Sequence, residues 1–332
     1  MSRLALHALP LAGLATVTLW APNRFWINVF AQALIFAIFA MSLDLLLGYG
    51  GMPSLGHATF FGAGAYTAAI WTQHHSPDLF PLLAVGMLVA GLLALPLGAL
   101  ALRTGGVYFL MLTLAFGQMV WGVVFSDRFK AFFGAEFGLV GIPRPALPPQ
   151  LGINLVRPGD FYDLVLVLAL LTLVLLSLIV ASPFGRTLQG IRENEARMRA
   201  LGYATFRYRL AAFVVAAALA GLAGTLSATY FHYATPGSLY WTNSGLVMIA
   251  VIMGGAGTLI GPALGALAVT LIQFGLAAVT DQAIADRSLL ILGAIFVAFV
   301  LLLPDGIAGL AGIGGRALGP RRTRRPGLGA RT

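Results

Sequence analysis

The chain has 332 residues, 59% of them hydrophobic and only 9% charged, against roughly 25% charged in an ordinary soluble domain. So few charges cannot give a particle of this size a polar surface, which excludes a water-soluble fold and makes lipid the solvent. The net charge of +9 does not require nucleic acid, because six arginines fall between Arg186 and Arg209 and six between Arg316 and Arg331, beside long apolar runs, as the cytoplasmic loops of membrane proteins do.

A helix crossing about 30 Å of hydrocarbon needs about 20 mainly apolar residues. In chain order, residues 4–21, 27–47, 55–72, 81–102, 105–125, 164–181, 210–231 and 288–303 fit that length. The first follows Arg3 and reads as a span entering from the cytoplasm, with a cleaved signal peptide as the alternative. Residues 244–280 carry no charge, and as one helix they would be about 55 Å long. They are expected to break around Gly254, Gly255, Gly257, Gly261 and Pro262 into two passes. The fold class is therefore all-α, a polytopic membrane protein of about ten segments, some of them discontinuous. Arg3, Arg103, the arginines from 186 to 209 and the C-terminal arginines then share the cytoplasmic side. Residues 126–163, with four basic and four acidic residues and Pro143, Pro145, Pro148 and Pro149, form an external loop. A permease domain is expected over 1–304, and a basic cytoplasmic tail without fixed structure over 305–332.

Gly50-Gly51-Met52-Pro53-Ser54-Leu55 echoes Gly254-Gly255-Ala256-Gly257-Thr258-Leu259. Broken helices of internal repeats commonly meet near the bilayer midplane and line a pathway, so the translocation path is expected at Asp44, Ser54, His57, Gly254, Gly255 and Thr258. Asp44 lies in an apolar run, where a carboxyl group must be paired. It reads either as a group bonded to backbone amides at the break between Gly48 and Pro53 or as a substrate contact. Ser54 suits the cap of a helix starting inside the membrane, and His57 then either faces a substrate carboxylate or satisfies the opposing broken loop. Thr229 and Gln118 suit hydrogen bonds between helices.

Residues 182–202 have the markings of a helix but are too polar to span. Ser182 suits an N-cap, Pro183 the first helical position and Gly202 a left-handed C-terminal cap. Leu188, Ile191, Met198 and Leu201 fall along one face, while Glu193 with Arg197 and Glu195 with Arg199 are spaced as favourable pairs. Such a helix serves either as a basic anchor in the interface or as a docking element for a cytoplasmic partner.

Several stretches together resemble the LivM type of branched-chain amino acid ABC-transporter permease. They are Asp44-Leu45-Leu46-Leu47-Gly48-Tyr49-Gly50-Gly51, the run from Ser54 to Tyr66, Thr113-Leu114-Ala115-Phe116-Gly117, Ser182-Pro183-Phe184-Gly185-Arg186 with Ile191-Arg192-Glu193-Asn194-Glu195, and Met253-Gly254-Gly255-Ala256-Gly257-Thr258. The resemblance implies an inner-membrane permease whose loop helix contacts cytoplasmic ATP-binding subunits through Arg192, Glu193, Asn194, Glu195, Arg197, Met198, Leu201 and Gly202. It also implies a second permease subunit and a periplasmic substrate-binding protein; no cofactor or metal is expected, since the chain has no cysteine and the adjacent His74 and His75 lack ligand spacing. The wider Glu-Ala-Ala-three-Gly pattern is only loosely matched, since Glu195-Ala196 precedes Gly202 by one residue more and Arg197 replaces the second Ala. The same scaffold serves urea, short amides and aromatic acids.

No G-x-x-x-x-G-K-[ST] loop is present, and the only lysine is Lys130, so uphill transport needs a partner's ATP hydrolysis or an ion gradient. An ion-coupled carrier would have only Asp44 and His57 as relay groups. A membrane enzyme would need convergent acids, bases or a metal site.

Overall fold

A computed structural model describes residues 24–146, 155–277, 288–302 and 306–310. Helices dominate because, away from water, each apolar run must satisfy its own backbone. Helix α1 (Arg24–Asp44) continues into a π-helical turn, Leu45–Tyr49, and an extended stretch then leads to α2 (His57–His74). Next come α3 (Leu79–Ala101) and α4 (Val107–Phe125). The loop that follows holds the one-turn helix α5 (Lys130–Phe133) and strand β1 (Leu139–Val140). Helix α6 (Pro158–Ala181) opens with proline in its first turn, where the missing N–H costs nothing. Two short helices, α7 (Pro183–Glu193) and α8 (Glu195–Ala200), lead to α9 (Thr205–Phe231) and strand β2 (Tyr233–Ala234). The described chain ends with α10 (Trp241–Gly254), α11 (Ile260–Ala277), α12 (Ser288–Leu302) and α13 (Gly306–Leu310).

Among the described residues, five stretches are long and apolar enough to cross a membrane, Arg24–Tyr49, Leu79–Ala101, Val107–Phe125, Pro158–Ala181 and Thr205–Phe231, with α10 and most of α11 as shorter apolar helices. The charge-free run does divide in two, at Gly255 to Leu259. Gly261 and Pro262, expected within the break, instead lie in the first turn of α11, where proline is tolerated. The predicted 4–21 span lies outside the described residues. So does most of the tail, but its start is ordered: α13 packs beside the α10–α11 turn with Gly306 and Ala308 buried. The chain is an all-α polytopic membrane protein.

The two ends of the bundle are marked by different devices. β1 pairs antiparallel with β2, Leu139 opposite Ala234 and Val140 opposite Tyr233, which joins the loop after α4 to the one after α9. The α7–α8 loop lies at the other end of α9, on the arginine-rich side assigned to the cytoplasm.

Helix α9 is the spine, packed against α1, α2 and α3. Lipid gives apolar side chains no reason to leave it, so helices associate where small residues allow close approach. A Cβ on Gly224 would lie 1.8 Å from the Phe61 carbonyl oxygen, and one on Gly64 2.0 Å from that of Gly221. Backbone meets backbone along this seam. The Thr225 hydroxyl closes it, in contact with the carbonyls of Gly64 at 3.2 Å and Gly221 at 3.0 Å. Thr229, expected to bond between helices, instead caps carbonyls of its own helix at Thr225 and Leu226. Large apolar side chains on α3, α4 and α6, such as Leu92, Met111 and Leu178, remain exposed on the outer face of the bundle.

Candidate functional site

Two interrupted segments cross at the loop-side end of α1. The π-turn brings Gly48 against the α10–α11 turn so closely that a Cβ there would lie 2.4 Å from the Gly257 nitrogen. Gly255 and Gly257 carry φ of +109° and +84°, conformations that glycine adopts without penalty. Asp44, fully buried, sits one turn before Gly48 and clasps this turn. Its Oδ1 accepts the Gly257 N–H at 2.7 Å and its Oδ2 the Leu259 N–H at 3.3 Å. Sequence proximity points to amides of the Gly48 to Pro53 break, but the partners of this carboxyl group belong to the opposite break, because the two breaks interlock. Thr258 donates to the Gly255 carbonyl at 2.7 Å and accepts the Gly261 N–H at 3.0 Å, so its hydroxyl shapes the turn and caps α11. A Cβ on Gly254 would lie 1.9 Å from the Gly261 carbonyl oxygen, which makes this glycine a packing requirement.

The chain re-enters the bundle between Gly51 and Gly56 without helical structure, so its amides need outside partners. Thr113 on α4 accepts the Leu55 N–H at 3.3 Å, and Ser244 in the first turn of α10 accepts the Ala58 N–H at 2.8 Å. Ser54 is not the cap expected of it. Gly56 occupies the N-cap position without a side-chain bond, and the Ser54 hydroxyl is buried without a partner. His57 does not meet the opposing loop either: Nε2 pairs with the Ser42 hydroxyl at 2.9 Å, and the ring stacks on Phe39 at 5.4 Å. Its Nδ1 and the Thr59 hydroxyl are likewise buried without partners. Ser54, Thr59 and Thr113 line a small cavity between α2 and α4.

The α7–α8 loop begins as its sequence indicates. Ser182 accepts the Gly185 N–H at 3.4 Å, with Pro183 in the first turn. The expected single helix then divides at Asn194, which adopts extended φ and ψ of −158° and 94°. Its side chain caps α8 by accepting the Arg197 N–H at 2.9 Å, and the competing cap outweighs helix continuity. The split separates Glu193 from Arg197, so that predicted pair does not form. The other expected pair does form, Glu195 with Arg199 at 2.6 Å, and Glu195 also meets Arg209 of α9 at 3.2 Å, which sequence does not indicate. Burial alone would raise its carboxyl pKa, but the hydrogen bond from Arg199, the charges of Arg209 and Arg199, and the Thr205 hydroxyl hold it below the ordinary glutamate value. α8 ends in paired bonds from Gly202 N–H to Arg199 and from Tyr203 N–H to Met198, with Gly202 at φ +86°, a left-handed helix terminus.

The predicted apolar ridge divides with the helix. Leu188 and Ile191 are buried against the bundle, and Met198 folds back over Gly190. Leu201 is 66% exposed, and Glu193, Asn194, Ala196 and Arg197 are exposed beside it. Arg192 is exposed as well, but its guanidinium also donates to the Gly48 carbonyl. The predicted path residues Asp44, Gly254, Gly255 and Thr258 are thus gathered at the crossed turns, whereas Ser54 and His57 stand beside the start of α2. Ser42, Thr113, Ser244 and Arg209 complete the site.

The family profile described as the permease component of branched-chain amino acid transport systems matches residues 25–300. The LivM permease proteins of the high-affinity branched-chain amino acid systems of Escherichia coli K12 and Salmonella typhimurium LT2 are each 27% identical, over 86% of this chain and 70% of theirs. A probable LivM protein of Methanocaldococcus jannaschii is 23% identical over 72% of this chain and 77% of its own. No solved structure matches the chain. With a match running from the first described helix to the last long one, the chain belongs to the family of branched-chain amino acid transport permeases.

Proposed function

We infer that this chain is one permease subunit of an ABC importer for branched-chain or other hydrophobic amino acids, driven by separate ATP-binding subunits that dock on the exposed face of α7 and α8. The observation that carries the reading is the two-helix loop itself. One side is anchored in the bundle by Leu188 and Ile191 and by Phe184 stacked on Tyr208 at 5.6 Å. The other side presents Leu201, Glu193, Asn194 and Arg197 to a partner. A second permease subunit completes the pathway on this reading, and a substrate-binding protein delivers the amino acid to the opposite face. The side chains an ion-coupled carrier would use are otherwise engaged: both Asp44 oxygens hold backbone amides, and His57 Nε2 is paired with Ser42.

The test is to co-express the chain with its neighbouring transport genes and measure ATP hydrolysis stimulated by loaded binding protein in proteoliposomes. Leu201→Asp, which puts a charge at the centre of the exposed face, is expected to abolish co-purification of the ATP-binding subunits while the chain still inserts. Full co-purification, or uptake by the chain alone on a pH step, refutes this function.

A further inference from the structure

We propose that Arg192 and Arg209 link the cytoplasmic loop to the crossed breaks, and that Arg192 in particular is a positioning residue which transmits loop displacement to the pathway instead of binding the partner. This inference rests on the importer reading given above. Beside the apolar contacts of Leu188 and Ile191, two arginines make polar links between the loop and the broken segment. Arg192, near the C-terminal end of α7, donates to the Gly48 carbonyl. Its aliphatic stem lies across Gly51, where a Cβ would be 2.8 Å from Arg192 Cγ. Any side chain at Gly51 would occupy the space this stem uses. Arg209, at the start of α9, holds Glu195 of α8 at 3.2 Å and reaches Met52 of the re-entrant stretch, with Nε 3.3 Å from Sδ.

Both links end on the same short segment, Gly48 to Met52, where the π-turn gives way to the extended stretch. Gly48 abuts Gly257, and Asp44 one turn earlier clasps the amides of Gly257 and Leu259. A shift of α7 is therefore passed through one guanidinium to the π-turn, and through a buried carboxyl group to the α10–α11 turn. The chain of contacts is continuous, and each contact is a hydrogen bond or backbone in van der Waals contact. Leu201 and Arg197, by contrast, touch none of these elements and remain available to a partner.

The experiment uses the complete complex with its ATP-binding subunits and binding protein, in proteoliposomes, for wild type, Arg192→Ala and Arg192→Lys. Assembly is read by co-purification and size exclusion, and coupling by ATP hydrolysed per leucine transported. Arg192→Ala is expected to keep its ATP-binding subunits and most of its hydrolysis, while ATP spent per leucine rises about tenfold. Arg192→Lys, which retains one donor for the Gly48 carbonyl, should fall between. Loss of the ATP-binding subunits from either variant would make Arg192 a docking residue and overturn the proposal. So would a wild-type coupling ratio in Arg192→Ala or, if that variant does not assemble, in Arg192→Lys. A wild-type complex that never retains ATP-binding subunits is a different failure, that of the importer reading itself.

Discussion

Replacing Asp44 tests the clasp between the two breaks. Its two oxygens each accept one backbone amide, from Gly257 and Leu259, in a place where Asp44 is fully buried. A buried amide left without an acceptor costs about 1–3 kcal/mol, so Asp44→Ala, which orphans both, should destabilise the chain by about 2–6 kcal/mol. Asp44→Asn keeps one carbonyl oxygen but turns an NH₂ group toward the other amide, so about half of that loss is expected. Heating the detergent-purified protein and following the monodisperse fraction by size exclusion should rank the midpoints wild type, then Asn, then Ala. A wild-type midpoint for Asp44→Ala, or an Asn variant as damaged as the alanine, would refute the two-acceptor account.

Gly224→Val should prevent α2 and α9 from closing, because its Cβ would fall 1.8 Å from the Phe61 carbonyl oxygen, while Gly122→Ala, with open space around it, should be neutral. Yield of folded protein checks the pair, and overpacking of this kind typically costs about 1–3 kcal/mol or more. Glu195→Gln should lower the thermal midpoint at neutral pH by weakening the loop. Because the native carboxyl is held below its ordinary value of 4.5, its stabilising contribution is fully present above that value and drains away only as pH falls through the native one. The gap between wild type and variant should therefore persist at pH 6 and 5. A gap already closed at pH 6 contradicts the assigned direction.

Five of the expected spans were legible because their signal is local: about 20 apolar residues, with glycine and proline marking where each run must stop. The division between α10 and α11 followed from length alone. What escaped was every bond between distant residues. Nothing near Asp44 in sequence names Gly257, and Ser244 gives no sign that its hydroxyl serves α2. Ser54 was read as a cap from its type, but the extended stretch runs two residues further and leaves Gly56 in that place. Asn194 could have been read as a helix start, since asparagine is a strong N-cap. The regular spacing of Glu193 with Arg197 argued for one continuous helix, and the cap prevailed. Sequence groups Arg192 with its charged neighbours, and only the fold shows that its guanidinium reaches the Gly48 carbonyl.

The hydroxyl of Ser244 on the Ala58 amide spans 186 residues, and this has a consequence for synthesis. When α2 leaves the ribosome, the residue that will accept the Ala58 amide in its first turn has not been made. Until α10 is inserted, the opening of α2 must lean on water, lipid headgroups or an insertase. Late arrival of α10 therefore completes an element laid down near the beginning, and truncation before Ser244 should leave a chain that quality-control proteases recognise, however apolar its earlier spans are.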